Sequence, residues 1–155
     1  MRRLGTLGLS LLTAASLAVA GSVSASAGTV APLVPPIIHE DFTPLPCNQT
    51  TTLGLEGCAE HQLLRADQRI DREVRLLFGL LHDNAARVRL STAQRTWLAY
   101  RRADCLSQSD IYEGGTQAAV EFGACAVSAD LARSADLHGF YRGLVQGRHD
   151  APAFP

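Results

Sequence analysis

Residues 57–82, GCAEHQLLRADQRIDREVRLLFGLLH, carry the clearest structural signal in the chain. Apolar side chains and one aspartate recur there at steps of three and four residues, at Leu63, Asp67, Ile70, Val74, Leu77 and Leu81. This spacing places them on one face of an α-helix, which turns once every ~3.6 residues. The opposite face is charged and suited to solvent, with Arg65, Arg69, Arg72, Glu73 and Arg75. The stretch therefore predicts an amphipathic helix, and Asp83-Asn84 is a suitable stop.

Two further helices are expected. Ser91-Thr92-Ala93-Gln94 has the spacing of a capping box, in which the serine and glutamine side chains satisfy free backbone N–H groups at a helix start. A second helix is therefore predicted from Ser91 to near Leu106. Residues 106–115 suggest a loop broken at Gly114-Gly115, and an alanine-rich third helix follows over residues 116 to about 142. No segment alternates like a strand, so the predicted fold class is all-α, a small three-helix bundle.

The two ends of the chain differ from this helical region. Residues 1–27 have a basic start, an apolar stretch and Ala25-Ser26-Ala27, the pattern of a secretory signal peptide and its cleavage site. Cleavage there removes two arginines and changes the formal net charge from −1 to −3. The proline-rich residues 28–46 and the C-terminal residues 146–155 are expected to form flexible tails. We expect a folded domain over residues 47–145 of a secreted protein. No cysteine lies at the cleavage site to take a lipid, so no stable membrane anchor is expected.

The four cysteines predict two disulfides, because an even number in a small exported domain usually forms pairs. Cys105 and Cys125 lie equally far before and after Gly115, so a helical hairpin folded at that glycine would bring them level. Cys47 and Cys58 would then close a loop at the start of the domain. This pairing is favoured among the three possible connectivities.

Charge and motifs argue against several functions. The 14 basic residues, all arginine, are matched by 15 acidic residues, which leaves no basic surplus for nucleic-acid binding. The sequence contains no nucleophile elbow, no phosphate-binding loop and no metal-binding histidine pair. The cysteines are expected to be oxidised. The sequence therefore predicts a protein without enzyme activity, cofactor or metal.

Some polar and aromatic residues have expected structural or binding roles. Asp67 interrupts the apolar stripe and needs a partner there; Arg101 is the favoured one, with Arg133 as a second candidate. Trp97, the single tryptophan, is expected to pack in the core. The loop over residues 106–115 offers a surface for a cationic protein partner, or it is an ordinary solvated connection. The candidate contact residues in that loop are Asp110, Ile111, Tyr112 and Glu113.

The segment from Leu90 to Cys105 resembles the signature of the lysozyme inhibitor LprI-like family, through Ala93-Gln94-Arg95, Trp97-Leu98 and Tyr100-Arg101. Other matches follow in order along residues 47–137: Cys47, Cys58, Ala66-Asp67, Ile70-Asp71, Gly114-Gly115-Thr116, Cys125 and Arg133. Two positions depart from the pattern. Arg102 replaces the usual aspartate, and Asp71 replaces the usual asparagine.

The resemblance implies a helical, disulfide-stabilised domain that binds and inhibits a C-type lysozyme. The shared residues suggest structural roles, and they include Asp67, Gln94, Trp97, Arg101, Gly114, Gly115 and Arg133. Two alternatives stay open. One is an extracellular or cell-envelope binding module with another partner, for which another cationic extracellular protein is a candidate. The other is a small cell-wall hydrolase, which is less favoured because the sequence shows no acid–base pair.

Overall fold

The computed structural model describes residues 33–155, and within them the chain forms three long helices and no strand. Helix α1 spans Thr52–Leu80, α2 spans Asn84–Ser109 and α3 spans Thr116–Val145. A short 3₁₀ turn, Asp110–Tyr112, follows α2. The predicted all-α class is confirmed, whereas the expected signal peptide lies outside the described residues. Among residues 33–155, none of the helices is both long and apolar enough to cross a membrane.

Helix α3 packs along both α1 and α2 and so lies at the centre of the bundle. All six stripe residues predicted for α1 are buried. The five apolar ones contribute to two apolar clusters, the larger around Ile70, Leu77 and Leu137 and the smaller around Leu63 and Cys105. This burial removes apolar surface from water and is the main source of the stability of the fold.

The expectation that Glu73 faces solvent is wrong, because this side chain is fully buried. Its Oε1 accepts hydrogen bonds from Ser134 Oγ at 2.6 Å and from Arg69 Nε at 3.2 Å. Helix α3 therefore covers a wider face of α1 than the apolar stripe alone indicates. A buried carboxylate needs such partners, since an unpaired charge in the interior is strongly destabilising.

The predicted start of the second helix is also wrong. Helix α2 begins seven residues before Ser91, at Asn84, and its cap is Asp83. The Asp83 carboxylate accepts from Ala85 N at 3.1 Å and from Ala86 N at 3.0 Å, and so satisfies N–H groups that have no partner within the helix. Ser91 lies inside the helix, where its backbone needs no cap. A residue expected to end α1 therefore starts α2.

The connection between α2 and α3 is shorter than expected, because α2 continues to Ser109 and leads directly into the 3₁₀ turn. The chain reverses direction at Glu113 and Gly114, which both have positive φ, 50° and 74°. Glycine adopts this conformation without steric cost. The Gly-Gly pair thus marks the reversal correctly, and α3 begins at Thr116 as predicted.

Both predicted disulfides are present. Cys47 pairs with Cys58, with a Cα–Cα distance of 4.3 Å, and Cys105 pairs with Cys125, with a Cα–Cα distance of 5.5 Å. The first disulfide holds the chain before α1 against that helix. The second joins the end of α2 to the beginning of α3, directly below the 3₁₀ turn.

The extended residues 33–46, here called the N-terminal segment, were expected to form a loose tail, but they lie against the helices. Ile38 N donates to Asp71 Oδ1 at 2.9 Å, and Leu45 N donates to Glu60. A Cβ on Gly57 would stand 2.6 Å from Leu45 O, so glycine permits this close approach. The segment therefore covers part of α1.

The C-terminal residues were likewise expected to be loose, and they too contact the bundle. Tyr141 donates a hydrogen bond to the Pro152 carbonyl. The Phe154 ring stacks on His138, with 4.9 Å between ring centroids, and packs against the larger apolar cluster. The aromatic contacts hold the last residues of the chain on the surface of α3.

Candidate functional site

A buried arginine joins all parts of the fold near the middle of the bundle. Arg101 of α2 donates through Nη1 to Asp67 Oδ1 of α1 at 2.6 Å and to Asp130 Oδ1 of α3 at 2.7 Å. Its Nη2 donates to Glu40 of the N-terminal segment. The Asp67–Arg101 contact expected from the sequence is thus present, with two further carboxylates around the same guanidinium.

The protonation of this arginine centre follows from its charges and its burial. Burial lowers the pKa of Arg101, but the negative charges of Asp130 and Asp67 outweigh burial and raise that pKa above its usual value. Burial raises the pKa of Asp130 to about 7, and it also raises the pKa of Asp67. The positive charge of Arg101 acts in the opposite direction and lowers the pKa of both carboxyl groups, but burial outweighs it. Burial therefore lets Asp130 keep a proton up to about pH 7.

Trp97 connects the arginine centre to the outer face between α2 and α3. The Arg101 guanidinium lies 5.3 Å and the Arg133 guanidinium 5.7 Å from its ring centre, within the range of cation–π contacts. Arg133 Nε donates to Gln94 Oε1 at 3.2 Å. Gln94 therefore holds Arg133, and it does not form the predicted helix cap. These four residues form one packed group.

The expected contact residues lie at a different place, on the turn after α2. Ile111 is 73% exposed and Tyr112 is 36% exposed, with Asp110 and Glu113 exposed on either side. The turn is held by backbone hydrogen bonds from Glu113 N to Asp110 O at 3.0 Å and from Gly115 N to Tyr112 O at 2.9 Å. An isoleucine is thus presented to solvent on a compact, disulfide-supported turn.

The surface around this turn is acidic. We define the loop end as residues 52–62 and 102–124, where the start of α1, the end of α2 and the start of α3 meet. It carries six carboxylates, Glu56, Glu60, Asp104, Asp110, Glu113 and Glu121, and one arginine, Arg102. Residues 65–99, towards the other end, carry seven arginines and four carboxyl groups. The charges of the bundle are therefore segregated along its axis.

Asp104 also lies beside a disulfide. One of its oxygens and the Sγ atoms of Cys105 and Cys125 lie within 4.8 Å of one another. Both sulfur atoms are bonded to each other and provide no thiolate, which is the form that binds metals. The two cysteines of this group therefore hold the turn in place through their disulfide.

Sequence reasoning missed two members of the arginine centre. Asp130 lies on the buried face of α3 at helical spacing from Ala126, Leu137 and Tyr141, which is the same signal that identified Asp67. Glu40 has no such signal. It lies in an extended proline-rich segment, and only the tertiary structure brings it to Arg101.

Comparison with known families gives one match. The family model described as lysozyme inhibitor LprI matches residues 47–137, which include both disulfides, the turn and three of the four residues of the arginine centre. None of the curated proteins and none of the solved structures that were compared matches the chain.

Proposed function

The chain belongs to the lysozyme inhibitor LprI family, and we propose that it binds and inhibits a lysozyme-type muramidase outside the cytoplasm. In this proposal the loop end is the contact surface, and the turn with Asp110, Ile111, Tyr112 and Glu113 is its centre. The protein acts by occupying the surface of the enzyme and uses no cofactor.

The proposal rests mainly on the exposure of Ile111 at the turn. An isoleucine that is 73% exposed on a rigid turn leaves apolar area in contact with water, and burial against a partner stabilises the complex by ~25 cal/mol per Å² of that area. The Cys105–Cys125 disulfide and the backbone hydrogen bonds fix the turn before binding. Little conformational entropy is then lost when a complex forms.

The charge at the loop end indicates the kind of partner. Six carboxylates against one arginine attract a cationic protein, and C-type lysozymes are typically cationic. Such attraction is screened by salt, because the Debye length falls from about 10 Å at 0.1 M to about 3 Å at 1 M ionic strength. Inhibition is therefore expected to weaken as salt is added.

The test is an inhibition assay with the exported protein, so that both disulfides form. Lysis of cell-wall substrate by a C-type lysozyme is measured against increasing amounts of the protein, alone and after reduction. We expect saturable inhibition by the oxidised protein and its loss on reduction. Ile111→Ala is expected to weaken inhibition about tenfold or more if Ile111 is an anchor residue of the interface.

Val88→Ala is the matched control, since Val88 is 47% exposed in the first half of α2, far along the helix from the turn. Equal inhibition by Ile111→Ala and wild type would place the contact elsewhere on the protein. An absence of inhibition with C-type and other muramidases would contradict the proposal. Cell-wall cleavage by the protein alone would favour a hydrolase.

A further inference from the structure

The loop end contains a groove beside the turn, here called the end groove, where all three helices and the N-terminal segment meet. It has a volume of about 320 Å³ and opens to solvent. Its apolar lining includes Phe42, Leu63 and Phe122. Leu63 is almost completely buried, and the two phenylalanines are half-buried. The volume is at the lower limit of the range for ligand pockets, about 300–1,000 Å³, so it suits one or two side chains.

The groove exists because α3 has small residues where it passes this end of the bundle. Ala119 and Gly123 line the groove. Glycine is required at 123, since a Cβ there would stand 2.8 Å from the Ala59 Cβ of α1. Protein interiors are normally filled to crystal-like density, so an open apolar groove at this position is a feature of the surface that a partner can fill.

The acidic residues beside the groove indicate which kind of side chain can bind in it. Glu56 and Glu60 line one side, and no basic residue lines the groove. One oxygen of Glu60 accepts from Leu45 N. An apolar side chain entering alone would leave these carboxylates facing a desolvated interface without a counter-charge, which is unfavourable. A side chain flanked by arginine or lysine supplies both the apolar group and the counter-charge.

The groove is continuous with the turn. Leu106 and Ser109 line the groove in the last two turns of α2, and the next residue in the chain is Asp110. Leu106 is 42% exposed there. The loop end thus combines a projecting apolar side chain, Ile111, with a receiving groove on the same acidic surface.

We infer that the end groove receives an apolar side chain, flanked by arginine or lysine, from a surface loop of the cationic protein that this chain inhibits. The inference rests on the proposed function and specifies its contact: Ile111 enters the partner, and one partner side chain enters the groove.

The test fills the groove with a larger side chain of the protein itself. Ala119→Phe places a ring in the cavity, and Ala135→Phe is the control, since Ala135 lies exposed in the second half of the same helix and does not line the groove. Both variants are checked for unchanged thermal unfolding. In the lysozyme assay, Ala119→Phe is expected to inhibit at least tenfold less well, whereas Ala135→Phe is expected to match wild type. Equal inhibition by the two variants overturns the inference and leaves the proposed function intact.

A second measurement does not depend on lysozyme. The capped peptide Arg-Leu-Arg is titrated into ¹⁵N-labelled protein, with Glu-Leu-Glu as the control peptide. We expect amide shifts at Ala119 and Phe122 with the first peptide alone, and their loss in Ala119→Phe. If no muramidase is inhibited but these shifts occur, the proposed function fails and the groove specificity stands. Absent shifts, or shifts that are unchanged in Ala119→Phe, overturn the inference.

Discussion

Replacing Arg101 with methionine is expected to destabilise the fold severely. The guanidinium is 7% exposed and contacts Asp67, which is 6% exposed, Asp130, which is fully buried, and Glu40, which is 15% exposed. Methionine removes the only basic group in these contacts while three carboxyl groups stay in place. Loss of one partner from a buried ion pair costs about 3–5 kcal/mol, because the remaining charge is left without compensation.

This loss is large relative to the whole stability of a domain, which is about 5–15 kcal/mol. For a chain of this size, a loss of 1 kcal/mol lowers the melting temperature by about 4 °C, so we expect a fall of roughly 10–20 °C for Arg101→Met. The assay is thermal and urea unfolding of the oxidised protein at pH 7, followed by circular dichroism. The neighbouring Arg102→Met is the control, because Arg102 is exposed and its replacement should change stability by less than about 0.5 kcal/mol.

Asp130→Asn tests the assignment further, because it removes one of the carboxyl groups that Arg101→Met leaves without a basic partner. The double variant is expected to lose less stability than the sum of the two single variants, with a coupling of about 1–3 kcal/mol. The reasoning is refuted if Arg101→Met is no less stable than Arg102→Met. It is also refuted if the effects of Arg101→Met and Asp130→Asn simply add.

Three further predictions concern stability. Asp130 retains a proton in the folded state up to about pH 7 but releases it near its ordinary pKa of 3.8 when unfolded. Its contribution is thus fully present below pH 3.8 and is lost as the pH rises towards 7, so the unfolding free energy of wild type should fall relative to that of Asp130→Asn over this window. In urea unfolding, the Cys105→Ser, Cys125→Ser double variant should have an unfolding free energy about 3 kcal/mol below that of wild type, because the disulfide closes a loop over a 20-residue separation. An unchanged unfolding free energy would contradict the expectation that this disulfide stabilises the fold by restricting the unfolded chain. Gly57→Ala should destabilise the protein by forcing Leu45 away. By contrast, Gly79→Ala, in open space within α1, should raise stability by about 0.5–1 kcal/mol in the same experiment.

The helical architecture was predictable because hydrophobic spacing dominates it. All six positions of the α1 stripe are buried as predicted. They include Asp67, for which a partner was expected because an acidic residue at helical spacing among leucines needs one. The same logic applied to Asp130 would have found the second carboxylate. The two cysteines placed symmetrically about Gly115 predicted their own pairing, because the hairpin geometry there depends on local sequence alone.

The errors arose where two local signals compete or where distant segments meet. Asp83 and Ser91 are both good caps, and the residues between them, Ala85 and Ala86 among them, are compatible with helix. Asp83 is the cap of α2 because α1 ends at Leu80 and the connection between the two helices is short. Glu40 and the end groove depend on how the N-terminal segment lies against the helices, and no periodicity in the sequence reports that contact.

The binding of a C-type lysozyme at the loop end is the central claim, and calorimetric titration at a series of salt concentrations tests it most directly. Wild type, Ile111→Ala and the charge variant Asp110→Asn, Glu113→Gln are compared, with Asp150→Asn as the control for a carboxylate far along the chain. The account predicts a complex whose Kd rises with salt, rises about tenfold or more in Ile111→Ala, and shows a weaker salt dependence in the charge variant. Absence of heat from binding at high micromolar protein, or equal affinity for all four proteins at every salt concentration, would contradict it.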